Sequence, residues 1–490
     1  MHKILRVGAI GATAAAMCVL PTMSAQADIS ATGHDITGVG SDTLQNMVNF
    51  ALDGDGFDSG IQSTPNLYRV LSFDATADAN DRGAYSTGAV LGTASSNCKT
   101  APSAGGKCLF PTIVLRNGQS PVERPNGSSA GIGALLLDKC SSATGTGFSK
   151  CSTAGKEQIN FVRSSRPPKV SEETTATGAS TSGQDWGGLE EQEIAHESLK
   201  VAVNGTDAVG QAGTCAPAGL TAYDLYKIVK GDYPTWGSIP GYTVPAGAPA
   251  DCALGNQIYI IYPQDGAGTQ GVFATDLAAA ANTHGAGEAA DGSSVTTEFK
   301  ANLAANPTRG QLNEENDPTA ITSLAAATAH NAIFGFSESR KNLWDGVTPA
   351  FTDSASGVHA AGTHNDTATG SPGYFNDPFK TFGQTAAGLS SGIHLLSGAS
   401  PNTTDNDGTG GHSGTASYND DRPLFILFRH IDISSTVKWL PGGALNWVNT
   451  LFNGGTSGNV PNFCSPTYQV NIAAAGATPL CSDLGVAGSG

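Results

Sequence analysis

Three segments of the chain share one local design, in which glycine and small residues lead into a helix. They are Gly38-Val39-Gly40-Ser41-Asp42-Thr43 before a helix beginning near Leu44, Asn126-Gly127-Ser128-Ser129-Ala130-Gly131 before Ile132–Leu137, and Asp265-Gly266-Ala267-Gly268-Thr269 before Val272–Leu277. The first turn of a helix carries N–H groups with no intrahelical partner and the positive end of the peptide dipole. Glycine lets a ligand approach the backbone, and Ser or Thr adds a hydroxyl donor, so each segment is a candidate cradle for an oxyanion. The ordinary use of the same residues is N-capping. A fourth segment, Asn160-Phe161-Val162-Arg163-Ser164-Ser165-Arg166-Pro167-Pro168, sets two serines between two arginines. Guanidinium groups are planar, permanently charged donors suited to phosphate or carboxylate. Without the other three segments, this one would read as a solvated loop.

Other residue patterns point elsewhere. Gly127-Ser128-Ser129-Ala130-Gly131 satisfies Gly-x-Ser-x-Gly, with Ser129 as the candidate nucleophile of a secreted serine esterase. A nucleophile elbow follows a buried strand directly, whereas Glu123-Arg124-Pro125-Asn126 reads as a turn. The ten His are dispersed, and only His196 and His430 stand beside strand-like runs. Asp53-Gly54-Asp55 and Asp405-Asn406-Asp407-Gly408 hint at calcium loops, but neither continues to a Glu at the twelfth position. No Cys-x-x-Cys is present to suggest zinc. The expectation is no metal and no cofactor.

The elements that must position these segments are short. Thr112–Leu115, Leu199–Val203, Ile258–Tyr262 and Pro423–Phe428 read as buried strands. Leu44, Met47, Val48, Ala51 and Leu52 share one helix face, and Leu220–Lys230 and Val272–Ala281 read as helices. This alternation predicts an α/β protein with mostly parallel strands. Residues 352–420 are rich in Gly, Ser, Thr, Asn and Asp and read as a loop-rich insertion. The chain has 490 residues, 39% of them hydrophobic and 14% charged, which allows a large core. No apolar run in the body is long enough for a multi-span membrane protein. A net charge of −17 argues against a general grip on nucleic acid or an anionic membrane.

Lys3 and Arg6, the apolar run Val7–Leu20 and the small residues of Ser24-Ala25-Gln26-Ala27 predict a signal peptide cleaved near Ala27, and hence a secreted protein. Cys18 would leave with it. The other eight Cys are close neighbours: Cys98 and Cys108, Cys140 and Cys151, Cys215 and Cys252, Cys464 and Cys481. An even count in an exported chain predicts disulfides, and nearest-neighbour pairing is the expectation.

Taken in order, Gly-Ser-Asp-Thr, Gly-Ser-Ser-Ala-Gly, Phe-Val-Arg-Ser-Ser-Arg and Asp-Gly-Ala-Gly-Thr resemble the PstS-type phosphate-binding proteins, the extracytoplasmic receptors of phosphate ABC importers. Leu220–Gly231 with Trp236, and Ala332-Ile333-Phe334-Gly335-Phe336, resemble further family segments. The resemblance implies a two-lobe periplasmic-binding-protein type II fold with the ligand cleft between lobes. It implies lobe one at 28–203 and 339–490, and lobe two at 204–338. It implies a monomer that binds a small oxyanion, phosphate above all, with a membrane ABC permease as partner and neither nucleic acid nor catalysis involved. The ligand-binding residues it implies are Thr43 and Leu44, then Ser128 or Ser129, then Ser164 and Ser165, and finally Gly266, Ala267, Gly268 and Thr269; Ser41, Asp42, Arg163, Arg166 and Asp265 are added from the segments' own chemistry. Three positions depart from the family. The proton-accepting Asp of the third loop falls on Ser165, the Arg before the second-lobe loop on Pro263, and that loop's Ser on Ala267. Arg163 or Arg166 would have to supply the charge, and Asp42 or Asp265 the acceptor. A surface structural protein with a vestigial cleft is a further alternative.

Overall fold

The computed structural model describes residues 36–53, 70–73, 75, 112–113, 115, 122–123, 125–136, 159–178, 186–353, 357–359, 362–363, 390–403, 416–430 and 466–486. The expected signal peptide, most of 352–420, and six of the eight paired Cys lie outside the described residues, Cys481 by its side chain. Elements run β1 (Ile36–Gly40), α1 (Gln45–Asp53), β2 (Val70–Ser72), β3 (Thr112–Ile113), β4 (Val122–Glu123), α2 (Ser128–Leu136), β5 (Phe161–Ser164), α3 (Val170–Ala176) and β6 (Leu189–Asn204). Then come α4 (Ala222–Lys230), β7 (Tyr259–Pro263), α5 (Gly268–Thr283), α6 (Ser293–Ala305), β8 (Gly310–Asn313), α7 (Thr319–Thr322), α8 (Ala326–Ala329), β9 (Ala332–Ser337) and α9 (Glu338–Asp345). The short strands β10 (Val347–Thr348), β11 (Phe351–Asp353), β12 (Gly357–His359), β13 (Gly362–Thr363) and β14 (Ile393–Leu395) precede β15 (Asn419–Arg429), α10 (Pro466–Ala474) and β16 (Thr478–Val486).

The large sheet has the order β2-β1-β5-β15-β6-β9-β7-β8, with β14 and β16 also on β6. Its two ends are parallel: β1 with β2 and β5, and β7 with β8 and β9. Its centre is antiparallel, because β6 pairs with β9, β14, β15 and β16 in opposite directions. The expectation of mostly parallel strands therefore holds only at the ends. The 16-residue β6 is the reason: it leaves one lobe and enters the other, and returning strands line up against it.

Each lobe has its own core. Leu44, Met47, Val48, Ala51 and Leu52 of the α1 region are buried against Ile36, Phe161, Ile426 and Ile472, and Val39, Ile132, Leu135, Val162 and Leu427 cover the other face. In the second lobe, α4 and α5 pack on β6, β7 and β9 through Leu225, Ile228, Phe273, Leu277, Val201, Ile260 and Ile333. Leu396 and Tyr418 belong to this second-lobe core, and Ile393 and Leu395 to the cluster behind it. Residues 393–396 and Tyr418 thus pack with the second lobe after α9.

Local chemistry fixes the second lobe's start. Thr221 caps α4 by accepting from Asp224 N–H, and the Asp224 carboxylate accepts in return from Thr221 N–H, both at 3.0 Å. Gly231, at φ 98°, ends that helix in a left-handed cap. A Cys215–Cys252 disulfide ties the following loop, as the nearest-neighbour pairing expects.

Candidate functional site

The loops that carry the expected site leave the carboxyl ends of the parallel strands, where α/β sheets hold ligands. Strands β1 and β5 deliver their loops from one lobe, and β7 delivers its loop from the other. Ser41 follows β1, and its N–H donates to Arg163 O at 2.9 Å. Asn126 makes an isolated parallel bridge with Gly40, which sets the start of α2 beside the first loop. Ser41 Oγ donates to Ser165 Oγ at 3.4 Å, Ser128 Oγ lies 3.2 Å from Ser165 Oγ, and Ser165 N–H donates to Ser128 Oγ at 3.0 Å. Three serines from three distant segments thus share one buried point.

The second lobe closes directly on that point. A Cβ on Gly268 would lie 2.2 Å from both Ser128 Oγ and Ser165 Oγ, so only glycine lets the start of α5 come this near. Gly127, at φ 96°, faces Gly266 O, and Ser129 N–H donates to that carbonyl at 3.2 Å. Farther along the seam Asn316 Nδ2 donates to Thr43 Oγ1 at 2.9 Å, and Asn126 Nδ2 donates to both Glu314 carboxylate oxygens at 3.1 Å. Asn316 has φ 62°, a left-handed backbone that asparagine tolerates better than most residues.

The two arginines of the third loop have different tasks. Arg163 is fully buried, and its guanidinium donates to Ser41 O at 3.1 Å, Phe73 O at 2.7 Å, Gly40 O at 3.4 Å and Ser72 Oγ. It braces the first loop from behind. Arg166 makes a bidentate pair with Glu172 at 2.7 and 2.9 Å and donates to Ser129 Oγ at 2.8 Å. Its charge is thus already paired with a carboxylate of the protein.

The remaining expected residues divide in the same way. Thr43, Ser128, Ser165, Gly266, Ala267, Gly268 and Thr269 lie at the seam. Leu44 side chain is buried in the first lobe's core, and Ser164 Oγ donates to Arg166 O at 2.5 Å. Asp42 is buried, and its carbonyl accepts Gln45 N–H at the start of α1. Asp265 is turned to solvent and pairs with Lys300 at 2.6 Å. Partial burial raises its pKa, but the bonds from Lys300 and Gln270 outweigh that and hold it below the usual value.

The structure adds a charged group that the sequence reading missed. Arg422 of β15 is buried and pairs through Nε and Nη2 with Glu197 Oε1 of β6, while Nη2 also donates to Thr269 Oγ1 at 3.2 Å. Glu197 Oε2 accepts from Ser337 and Ser339 hydroxyls. Burial alone would lower the Arg422 pKa, but Glu197 outweighs it and the net direction is upward. Glu315, also fully buried, accepts Thr269 N–H at 3.1 Å. Burial pushes its carboxyl above the usual range. Glu314-Glu315-Asn316-Asp317 reads in sequence as a solvated acidic turn, and Arg422 sits in Asp420-Asp421-Arg422-Pro423. Neither carries a local signal of burial.

A cleft built from strand-end loops of two lobes that share one sheet defines a periplasmic-binding-type protein. The chain belongs to the PBP superfamily: residues 84–379 match that superfamily's domain. No curated protein matches it. Among solved structures it is similar to a protein from Clostridium perfringens assigned as a phosphate ABC transporter substrate-binding protein, solved with bound phosphate, at 12% identity and TM-score 0.39 over 91% of this chain and 99% of that one. It is also similar to the periplasmic phosphate-binding protein PfluDING, at 13% identity and TM-score 0.42 over 91% and 90% of the two chains. A human phosphate-binding apolipoprotein gives 16% identity and TM-score 0.41 over 91% of each chain. Among the described residues, no helix is long and apolar enough to cross a membrane, and no group of three or more His, Cys, Asp or Glu could hold a metal ion.

Proposed function

We propose that this protein is a secreted solute receptor that closes its two lobes around phosphate or a closely related tetrahedral oxyanion and hands it to a membrane ABC permease. The observation that carries this reading is the convergence of Ser41, Ser128, Ser165 and Gly268 on one buried point from four segments far apart in sequence. Hydroxyls and helix N-termini are donors for an anion that sheds its water, and they need no metal. Arg422 and Arg166, each paired with a carboxylate of the protein, border the site through Thr269 and Ser129. Phosphate heads the candidates because the order of the motifs resembles the PstS-type receptors. The ligand residues proposed are Ser41, Thr43, Ser128, Ser129, Ser165, Arg166 and Gly266–Thr269, with Arg422 added. Ser129 as a nucleophile is disfavoured: the group on its Oγ is Arg166, which cannot accept a proton.

Titration calorimetry with phosphate, arsenate and sulfate tests the reading. One site per chain for phosphate is expected. Failure of the wild-type protein to bind any of the three would refute the receptor function while leaving the fold intact.

A further inference from the structure

The cleft already holds a carboxylate of the protein's own. Glu315 Oε2 accepts Thr269 N–H in the first turn of α5, one of the donors an incoming oxyanion would use. The Glu315 backbone N–H donates to Gln264 Oε1 at 2.6 Å, which fixes the residue in place. Among the described residues, its second oxygen, Oε1, is buried without a hydrogen-bond partner, as is Nη1 of the neighbouring Arg422. A buried acceptor with no donor is costly for an ionised group. The charged groups facing Glu315 are Arg422 from β15 and Glu197 from β6, with Glu314 preceding it in the same segment, already bonded to Asn126. The α5 side presents uncharged Thr269, and the loop after β7 presents uncharged Gln264. Burial raises the Glu315 pKa, and Glu197 adds to the rise, against the opposing pull of Thr269 and Arg422.

We propose that Glu315 is a resident anion at the N-terminus of α5 and that it takes up a proton when an oxyanion binds beside it, so that anion capture is proton-linked. This rests on the oxyanion reading of the cleft. The proton comes from solvent and goes to Oε1. The neutral acid then offers an O–H to the ligand, and no covalent bond of the ligand changes. Two negative charges in one dehydrated seat disfavour the ionised carboxyl. Each unit by which the bound anion raises the Glu315 pKa is about a tenfold loss of affinity once both states are ionised. Affinity is therefore highest below the free-state pKa and falls as pH rises, until the bound-state pKa is passed.

The test is calorimetry of the full-length protein with phosphate across pH, in buffers of different protonation enthalpy, on wild type and Glu315→Gln. Phosphate exchanges protons itself, so the quantity read is the difference between the two proteins. Wild type should take up roughly one more proton per phosphate than Glu315→Gln inside the window. Its affinity should fall about ten- to a hundredfold below that of the variant at the alkaline end. Equal proton uptake with parallel pH profiles overturns the proposal while the observed phosphate binding sustains the receptor function. No phosphate binding by wild type at any pH overturns both. Should the variant fail to fold, the infrared difference spectrum of wild type with and without phosphate decides: a carboxylic-acid carbonyl band must appear on binding, and its absence overturns the proposal.

Discussion

Adding one methyl group at Gly268 should pry the cleft open. A Cβ there would sit 2.2 Å from Ser128 Oγ, 2.2 Å from Ser165 Oγ and 3.0 Å from Ser128 Cβ, where ordinary contact begins near 3.4 Å. The overlap with each hydroxyl is about 1.2 Å. Rotating one serine relieves one clash. Rotating both surrenders the Ser165 N–H to Ser128 Oγ bond at 3.0 Å and still leaves Ser128 Cβ too near. The cheaper relief is retreat of α5 from the first lobe. Overpacking of this kind costs about 1–3 kcal/mol, which is about a 5- to 150-fold loss of affinity for whatever the lobes close upon. Phosphate calorimetry on Gly268→Ala, with small-angle scattering to follow lobe separation, measures both consequences. Gly271→Ala is the matched control, because its Cβ would meet Arg166 Cδ at an ordinary 3.6 Å. Melting of Gly268→Ala should stay near wild type, since the clash lies across the cleft and Ala favours the helix. Wild-type affinity and unchanged scattering for Gly268→Ala would refute the claim that this point is the ligand seat.

Two further outcomes follow from the same geometry. Arg163→Ala should destabilise the fold by at least about 3 kcal/mol in urea unfolding, because it strips donors from the buried carbonyls of Gly40, Ser41 and Phe73; a variant of normal stability that binds phosphate weakly would return Arg163 to the ligand set. Asp276 accepts from Tyr418 Oη at 2.6 Å, and burial together with Asp420 pushes its carboxyl from 3.8 up to about 7. The folded state thus favours the protonated acid, so its contribution to stability is complete below pH 3.8 and is lost as pH rises towards about 7. Asp276→Asn should flatten that part of the stability profile, and an unaltered profile would contradict the assignment.

How far the sequence reveals this structure depends on where polar residues go. Apolar runs announced β7 and the core of β15, and the spacing of Leu44, Met47, Val48, Ala51 and Leu52 announced α1. The same logic found only Leu199–Val203 of the 16-residue β6. Its first half, Leu189–Ser198, carries Glu190, Gln192, Glu193 and Glu197, all buried in the structure. They are covered because β15 and β16 flank that half, a circumstance set by residues more than 200 positions away. The site divides similarly. Glycine, serine and threonine at helix starts are local signals, so the segments that meet at the seam were legible. Arg422, Glu197 and Glu315 gain their roles only from long-range packing, and Arg163 looks the same in sequence whether it faces a ligand or a carbonyl.

The placement of β6 has a consequence for how the molecule comes into being. Its partners β9, β14, β15 and β16 are all made after it. The strand that joins the lobes therefore stays incompletely paired until β15 and β16 have been made. Neither lobe is a unit that synthesis can finish early: the first needs β15 and α10, and the second needs Leu396 and Tyr418. Contacts this distant along the chain make for slow closure. Both walls of the cleft are therefore completed only after β15 and α10 have been made.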